Sequence, residues 1–330
     1  MALVDKANSA LVLNVGSLAE DRALEDGIDV DFAGNTPAVH EGFRVSLSRD
    51  DDGNVVENEI VVAAFGVFER YATQGLSKIT ANFHTGEDML VIDSDVALYL
   101  DIDTGLKNSD TSDADFVIGI ANNDRVFGGR AEDVLRGMAG VDLLYGEAGD
   151  DILDGGLGGD LLHGGSGTDQ VDYSASAAAV TITPFDFDDI NTLSAAQLAL
   201  LDGVNSGRAM LGSGGDAEGD VLLHIERLIG SGFDDVLTGD ASENNQIDGG
   251  AGNDTIQGGN GDDLLVGGLG GDELNGGQGS DWTSYAFSRS AVGVSLDLGI
   301  GLGGDAMGDI YDSIENVVLS GFGDTIVDDV

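Results

Sequence analysis

The sequence has no cysteine, which excludes disulfide bonds, thiolate metal sites and a cysteine nucleophile. Basic residues are scarce: thirteen lysines and arginines stand against sixty-one aspartates and glutamates, for a net charge of −48. A field of that sign repels nucleic acid and anionic membrane surfaces, so we expect neither as a partner. Only two prolines and a hydrophobic content of 42% argue against a disordered acidic tail. A compact fold with this charge needs counterions.

Motifs for catalysis and for membrane insertion are also missing. The segment from His40 to Arg44 fails the HExxH zinc-protease pattern at its last place, and no GxSxG nucleophile elbow is present. The longest apolar stretch, residues 60–68, is too short to span a bilayer, so we expect no membrane insertion. The N-terminus is a poor match to a cleaved signal peptide. We expect a protein that is not an enzyme.

What the sequence does have is a nine-residue repeat. Residues 128–172 read GGRAEDVLR, GMAGVDLLY, GEAGDDILD, GGLGGDLLH and GGSGTDQVD without a gap, and two more nonamers precede them from Asp110 in the same frame. All seven keep an aspartate at the sixth place and an aliphatic residue at the eighth. A second run begins at Gly230 and is interrupted once, by the ten-residue GDASENNQID.

The repeat predicts a coiled all-β fold. Glycine is costly in a strand and favours turns with positive φ, so the first six residues of each nonamer are predicted to form a turn rather than a strand. The last three residues form a short strand whose middle, eighth-place residue points inward. Two nonamers then complete one coil, and residues 18 apart in sequence become neighbours in adjacent coils. The predicted fold is a parallel β-roll, or β-solenoid, in two repeat blocks.

The sixth-place aspartates are candidate calcium ligands. Stacked without counterions they would repel one another, and a hard cation with six to eight oxygen ligands removes that repulsion by binding carboxylates and glycine-rich backbone carbonyls. We expect several Ca²⁺ ions and no catalytic residues. The irregular repeat offers only Asn244 or Asn245, so we expect a distorted or empty site there. The candidate ligands are Asp115, Asp124, Asp133, Asp142, Asp151, Asp160, Asp169, Asp235, Asp254, Asp263, Asp272, Asp281 and Asp324.

A duplicated segment follows each run of repeats. Residues 173–182 match residues 285–294, and residues 214–235 match residues 303–324. The sequence separation between matching residues is different in the two pairs, because the first copy has an insertion near residues 184–208. There NTLSAAQLALLDG predicts a short helix. Trp282 and Tyr285 end the second run and are expected to cap its core. Three acidic residues recur in both copies and either bind further calcium or shape the coil: Asp216, Asp220 and Glu226, with their copies Asp305, Asp309 and Glu315.

Together these patterns predict five regions. Residues 1–109 form an N-terminal β domain without the nonamer, in which residues 42–49 and 59–71 predict a hairpin within a small sandwich or a sheet that caps the roll. Residues 86–92 and 97–102 are predicted strands that enter the roll. The remaining regions are the first roll (110–173), a linking β segment with the helical insertion (174–229), the second roll (230–285) and a C-terminal β segment (286–330).

The nonamers resemble the GGxGxDxUx repeats of RTX proteins, over roughly residues 110–330. The resemblance implies a calcium-binding parallel β-roll. It also implies a secreted, extracellular or cell-surface protein of a bacterium, exported by a type I route with an uncleaved signal near the C-terminus. Apart from this resemblance, we expect calcium as a partner and, through head-to-tail contacts at an exposed end of the solenoid, other copies of the same chain.

Two functions are compatible with this sequence. The first is a secreted, non-enzymatic, calcium-loaded solenoid that serves as matrix, surface layer, filament subunit or adhesin. The alternative is the calcium-dependent secretion and folding module of an exported enzyme of the protease, lipase or polysaccharide epimerase type. An initiator methionine and about 110 residues before the repeats favour the first, because that length is small for a catalytic domain. Residues 321–327 break off in mid-motif, so an exposed final strand is expected to permit self-assembly.

Overall fold

The computed structural model describes residues 114–119, 123–185, 209–240 and 244–327 with their side chains, and the backbone of eight strands before residue 104. The helix predicted in the insertion lies outside these residues. The chain divides into two compact units, residues 1–155 with 160–167 and residues 156–159 with 168–330. The early strands are β1 (Ala2–Asp5), β2 (Ala10–Asn14), β3 (Gly42–Arg49), β4 (Val55–Ala64), β5 (Val67–Ala72), β6 (Lys78–Asn82), β7 (Met89–Ile92) and β8 (Tyr99–Asp103).

The N-terminal strands join the sheets of the first unit. The predicted hairpin is confirmed as the antiparallel pair β3–β4, but the second predicted run divides into β4 and β5, which also pair antiparallel. β3 pairs in parallel with β7. β7 and β8 enter the roll as predicted, since Leu90 pairs with Val117 and Ile102 pairs with Val126. β1 and β2 are antiparallel, and β2, β6 and β8 are parallel.

The first run of repeats is a parallel β-roll, as predicted. Its strands are β9 (Phe116–Ile118), β10 (Arg125–Arg130), β11 (Val134–Arg136), β12 (Ala139–Gly140), β13 (Leu143–Ala148), β14 (Ile152–Asp154), β15 (Leu157–Gly158) and β16 (Leu161–Ser166), of which all but β15 belong to the first unit. One sheet contains β9, β11 and β14, and the other contains β8, β10, β13 and β16. β9, β10, β11 and β13 each pair with the strand 18 residues further along, whereas β8 lies 24 residues before its partner β10.

The core is formed by the eighth-place side chains. Val126, Leu144 and Leu162 lie in register on one sheet, and Leu135 and Leu153 on the other. All five are fully buried. An aliphatic side chain contributes about 1.5–3 kcal/mol when it is buried in this way, so each coil adds a similar increment of stability.

The prediction that all six leading residues form a turn is wrong on one of the two sheets. There the strands continue through the first glycines of the next nonamer, as β10 does through Gly128 and Gly129. The second place has positive φ, with Gly129 at +107° and Gly165 at +119°. A side chain at Gly165 would collide with the carbonyl oxygen of Glu147 in the preceding coil. Glycine is retained there because the coils approach closely while their backbones stay paired.

The second unit repeats this architecture. Its strands after β15 are β17 (Gln170–Asp172), β18 (Thr181–Phe185), β19 (Ala209–Ser213), β20 (Val221–Leu223), β21 (Arg227–Ile229), β22 (Val236–Thr238), β23 (Gln246–Asp248), β24 (Thr255–Asn260), β25 (Leu264–Val266), β26 (Glu273–Gln278), β27 (Trp282–Ser284), β28 (Gly293–Ser295), β29 (Ile300–Gly303), β30 (Ile310–Asp312), β31 (Asn316–Val318) and β32 (Thr325–Ile326). Two short 3-10 helices, Gly215–Ala217 and Gly304–Ala306, accompany the duplicated segments.

Both duplicated segments contribute strands to the roll. β21 pairs in parallel with β17 and β23, and β31 pairs in parallel with β27. Each copy also adds antiparallel strands, β18–β19–β20 in the first and β28–β29–β30 in the second. Tyr173 and Tyr285 are buried, but Trp282 is 43% exposed, so the prediction that Trp282 caps the core is wrong. Trp282 stands at a seventh place, next to the inward eighth-place residue, and therefore points outward.

None of the helices among the described residues is long and apolar enough to cross a membrane.

Candidate metal centre

The sixth-place aspartates are stacked in ladders, one residue per coil. The backbone N–H of Asp124 donates to Oδ1 of Asp142 at 2.7 Å, and the N–H of Asp142 donates to Oδ1 of Asp160 at 2.8 Å. On the other side of the roll, Asp115 donates to Asp133 and Asp133 donates to Asp151 in the same way. One carboxylate oxygen of each acceptor is therefore held by the preceding coil.

The second carboxylate oxygen points to the inside of the turn. Oδ2 of Asp142 is buried and accepts no hydrogen bond from the part of the chain that the structure describes. A methyl group built on Gly137, the first-place glycine of the same nonamer, would overlap this oxygen and would lie 2.8 Å from the carbonyl oxygen of Gly155 in the next coil. Two acceptor oxygens thus converge on one point with no donor between them. Such a pair requires a cation or a proton.

The same arrangement recurs from turn to turn. At Gly128, the added methyl group would lie 2.6 Å from Asp133 Oδ2 and 2.9 Å from the carbonyl oxygen of Gly146. The absence of a side chain at the first place is therefore required by space, independently of backbone conformation. In the second unit, Oδ2 is likewise buried without a hydrogen-bond partner among the described residues in Asp254, Asp263, Asp272 and Asp281.

Burial makes these carboxylates resist ionisation. It raises the pKa of Asp142 to about 8, an effect that the charges of Asp160 and Asp124 increase and the hydrogen bond from the Asp124 N–H opposes. Burial also raises the pKa of Asp160 and of Asp254 to about 7. At neutral pH these groups need a nearby positive charge to be stable as carboxylates.

A bound cation would have to combine one carboxylate per turn with backbone oxygens. No three histidine, aspartate or glutamate side chains within the described ranges cluster as a metal site. Calcium accepts such a mixed set, since it takes six to eight oxygens from carboxylates and carbonyls. The donor set of the turns therefore fits calcium.

Comparison with known families agrees with this donor set. The family model of the RTX calcium-binding nonapeptide repeat matches residues 110–135, 118–153, 136–171, 224–245, 241–274 and 248–282. Both runs are RTX calcium-binding nonapeptide repeats. Proteins with such repeats are typically secreted by bacteria. The matches end at residue 282, although the sequence resemblance was expected to extend to residue 330. No curated protein is significantly similar to the chain.

Twelve of the thirteen candidate ligands in the RTX repeats are at most 3% exposed, whereas Asp324 is half-buried. Asp235 and Asp324 accept hydrogen bonds from serine residues of their own turns. Asp235 accepts from the N–H of Ser231 at 2.5 Å, the hydroxyl of Ser231 at 2.8 Å and the N–H of Val180 at 2.7 Å. Asp324, its copy, accepts from the hydroxyl of Ser320 and the N–H of Val292. Protein donors already satisfy both oxygens of Asp235 and one oxygen of Asp324.

The structure distinguishes between Asn244 and Asn245 in the irregular ten-residue repeat. Asn245 is buried and takes the sixth place, since its N–H donates to Asp263 Oδ1 at 2.6 Å, while Asn244 is exposed. The Asn245 side-chain Nδ2 donates to the carbonyl oxygens of Asp240 at 2.9 Å and Gly258 at 3.1 Å. An amide N–H therefore stands where the regular repeats place an aspartate oxygen. This turn is satisfied without a cation.

A second ladder was missed by the sequence analysis. Oδ1 of Asn244 accepts the N–H of Asp262, and Oδ1 of Asp262 accepts the N–H of Ser280, both at 2.9 Å. Asn123 binds the N–H of Val141 in the same way. These fifth-place bonds run in the opposite direction to the sixth-place bonds, so adjacent coils are tied reciprocally. The available signal was the recurrence of Asn and Asp at the fifth place of the second run.

The acidic residues of the duplicated segments have distinct positions. Asp309 Oδ1 accepts the N–H of Asp272 at 3.0 Å, so Asp309 continues the sixth-place ladder, and its Oδ2 accepts the hydroxyl of Tyr285. Asp220 accepts the hydroxyl of Tyr173 at 2.8 Å. Asp216 and Asp305 lie in the 3-10 helices. Glu226 and Glu315 accept the N–H groups of Asp169 and Asp281, both at 2.9 Å.

Proposed function

We propose that this chain is a secreted structural protein whose folding is driven by calcium, with the sixth-place aspartates of the regular turns as ligands. The observation that carries the proposal is the buried Oδ2 of Asp142, which faces the same point as the Gly155 carbonyl without a donor. Because the two oxygens meet only in the folded roll, the free energy of ion binding contributes directly to folding. The role is proposed to be structural rather than catalytic.

Different groups of the chain have different roles at each turn. The Asp124 N–H fixes the Asp142 carboxylate through Oδ1 and leaves Oδ2 for the ion. The bare Cα of Gly137 leaves room for the oxygens to converge, and the Gly155 carbonyl adds a ligand from the next coil. A bound calcium ion would neutralise the buried carboxylate and link adjacent coils.

Calcium titration of the full chain tests this proposal. In calcium-free buffer at neutral pH we expect circular dichroism to show a partial loss of β structure, which millimolar calcium, the range of extracellular modules, should restore. Magnesium should not substitute, because it demands tight octahedral geometry and retains its waters. A spectrum that is the same with and without calcium would contradict the proposal.

We further propose that copies of the chain associate through the second duplicated segment. Ile310 in β30 is 51% exposed and Ile326 in β32 is 48% exposed, whereas their counterparts in the first copy, Val221 and Leu237, are fully buried. A second copy of the chain supplies β strands that could cover this apolar face. Since each copy carries a charge of −48, we expect association to require calcium.

Light scattering at rising calcium tests the association. Full-length protein should form assemblies, and a truncation ending at Val318, which removes β32, should not. The variant Ile310→Asp should also stay monomeric, while Leu269→Asp, at a residue that is 60% exposed in the repeats, should assemble normally. A full-length chain that stays monomeric at millimolar calcium would exclude self-assembly and leave calcium-driven folding untouched.

A further inference from the structure

The last turn of the second repeat run keeps the features of an ion site although no further nonamer follows it. Asp281 is fully buried, and its Oδ2 accepts no hydrogen bond within the described residues. A methyl group built on Gly276, the first-place glycine, would overlap both Asp281 Oδ2 and the carbonyl oxygen of Ser313. In the regular turns the second oxygen belongs to a first-place glycine of the next coil. Here Ser313 of the duplicated segment supplies it.

The backbone at Ser313 is held in an unusual conformation. Its φ is +52°, in the left-handed region that costs a residue with a side chain about 1–2 kcal/mol. The counterpart in the first copy, His224, has a φ of +53°. Both copies therefore keep the same costly turn immediately before the strand that re-enters the roll.

Glu315 continues the carboxylate ladder beyond the repeats. Its Oε2 accepts the N–H of Asp281 at 2.9 Å, the distance at which Asp281 Oδ1 accepts the N–H of Asp263. In return, the Asp281 carbonyl oxygen accepts the N–H groups of Glu315 at 3.2 Å and Asn316 at 3.0 Å. A glutamate outside the nonamer pattern thus occupies the place of the next sixth-place aspartate.

The first copy repeats these contacts. Glu226 Oε2 accepts the N–H of Asp169 at 2.9 Å, and the Asp169 carbonyl oxygen accepts the N–H groups of Glu226 at 3.1 Å and Arg227 at 2.9 Å. Asp169 ends the first run as Asp281 ends the second. The arrangement therefore occurs wherever a repeat run meets a duplicated segment.

We propose that Asp281, Glu315 and the Ser313 carbonyl form a calcium site that extends beyond the nonamer pattern, and that Asp169 and Glu226 contribute to its counterpart in the first copy. The inference rests on the proposed calcium function of the repeats. Two carboxylates one ladder step apart, with Asp281 Oδ2 buried beside the Ser313 carbonyl and without a hydrogen-bond partner within the described residues, are the donors that calcium selects.

The alternative is that these glutamates only shape the coil. The variant Glu315→Gln distinguishes that role from calcium binding. Glutamine keeps an oxygen that accepts the Asp281 N–H, so a purely structural role tolerates it, but it removes the charge that an ion needs. We would count calcium ions on the full chain by native mass spectrometry and measure their affinities by competition with a chromophoric chelator. The variants are Glu315→Gln, Glu226→Gln and the double variant, with Glu273→Gln at an exposed seventh place as matched control.

Each single variant should lose one ion, or bind its weakest ion at least about tenfold less tightly, which corresponds to about 1.4 kcal/mol. The double variant should lose two, and Glu273→Gln none. If Glu315→Gln fails to fold at millimolar calcium, the count in Glu226→Gln decides. If the glutamine variants bind the wild-type number of ions, with affinities changed less than tenfold, this inference is overturned but the proposed function is not. A wild-type chain that retains no calcium would overturn the proposed function and this inference with it.

Discussion

The side-chain nitrogen of Asn245 lies 3.1 Å from the carbonyl oxygen of Gly258, in the place where the regular turns put an aspartate oxygen. An N–H that faces a carbonyl forms a hydrogen bond, whereas a carboxylate oxygen that faces a carbonyl forms a cation site. Under the proposed function, the change of a single atom at the sixth place is therefore enough to remove the need of this turn for calcium.

Asn245→Asp should convert the self-satisfied turn into an ion site. We expect native mass spectrometry to show one additional calcium ion, and calcium-free stability to fall by about 1–3 kcal/mol because a buried acceptor loses its donor. Asn244→Asp is the matched control. It stands one residue earlier, is exposed and keeps the oxygen that accepts the Asp262 N–H, so it should change neither quantity. An Asn245→Asp variant with the wild-type ion count would refute the assignment.

Asp142→Asn should convert an ion site into a turn that is satisfied without a cation. The new amide can donate to the Gly155 carbonyl while its oxygen still accepts the Asp124 N–H. We expect at least one fewer calcium ion and a calcium-free roll stabilised by about 1–3 kcal/mol, measured by urea unfolding. Asp154→Asn, at an outward ninth place beside Arg136, should leave both values nearly unchanged. Equal effects at the two positions would show that the repeat frame is wrong.

The calcium-free protein should be more stable in acid than at neutral pH. The folded pKa of Asp142 is raised to about 8 and that of Asp160 to about 7, against about 3.9 in an unfolded chain. The folded state therefore binds more protons than the unfolded state between these values, and the free energy of unfolding falls as pH rises through this window. The penalty is absent below about pH 4 and complete above about pH 8.

Urea unfolding at a series of pH values checks this dependence. Surface repulsion in so acidic a chain acts in the same direction, but about 1 M salt shortens the Debye length to about 3 Å and removes most of it. The contribution of the buried aspartates should remain in high salt. A calcium-free stability that is independent of pH in high salt would contradict the assignment of protonated, buried carboxylates.

Gly137→Ala tests the space at the first place. The added methyl group would overlap Asp142 Oδ2 and lie 2.8 Å from the Gly155 carbonyl oxygen, so we expect a loss of about 1–3 kcal/mol together with weaker calcium binding. Gly232→Ala is the control, because nothing lies within 4 Å of its added methyl group. Thermal unfolding at fixed calcium measures both. A Gly137→Ala variant as stable as Gly232→Ala would mean that the turn is more open than described.

The repeat period was sufficient to predict the roll, because the buried aliphatic residues and the stacked aspartates recur at fixed places of the nonamer. Leu144 and Leu153 are buried as their eighth-place positions required, and Asp124 and Asp142 are stacked as their separation of 18 residues required. Glycine content misled the prediction at Gly128 and Gly129. Intrinsic propensity disfavours a strand there, but pairing with the next coil overrides it.

The contact of Glu315 with Asp281 could not be predicted from a repeat spacing in this way. Glu315 meets Asp281 across 34 residues of non-repeating chain, and a contact of that separation depends on the path of β28 to β30 rather than on any period. Similarly, the sequence left Asn244 and Asn245 as alternatives, since a ten-residue repeat has no unique frame. Only the position of the Asn245 N–H, bonded to Asp263, identifies it as the sixth-place residue.

The sixth-place ladder gives the roll a polarity. In the steps from Asp124 to Asp142 and from Asp263 to Asp281, the N–H of the earlier residue is bonded to the carboxylate of the later one. Shortening a roll from its C-terminal side would leave the last sixth-place N–H without its carboxylate acceptor. Shortening it from the N-terminal side would instead remove acceptors of the bonds that run the other way, such as the Asp115 carbonyl oxygen that accepts the N–H of Val134. The two ends of a roll therefore lose different hydrogen bonds on unravelling, and Glu315 preserves the sixth-place bond where the second run ends.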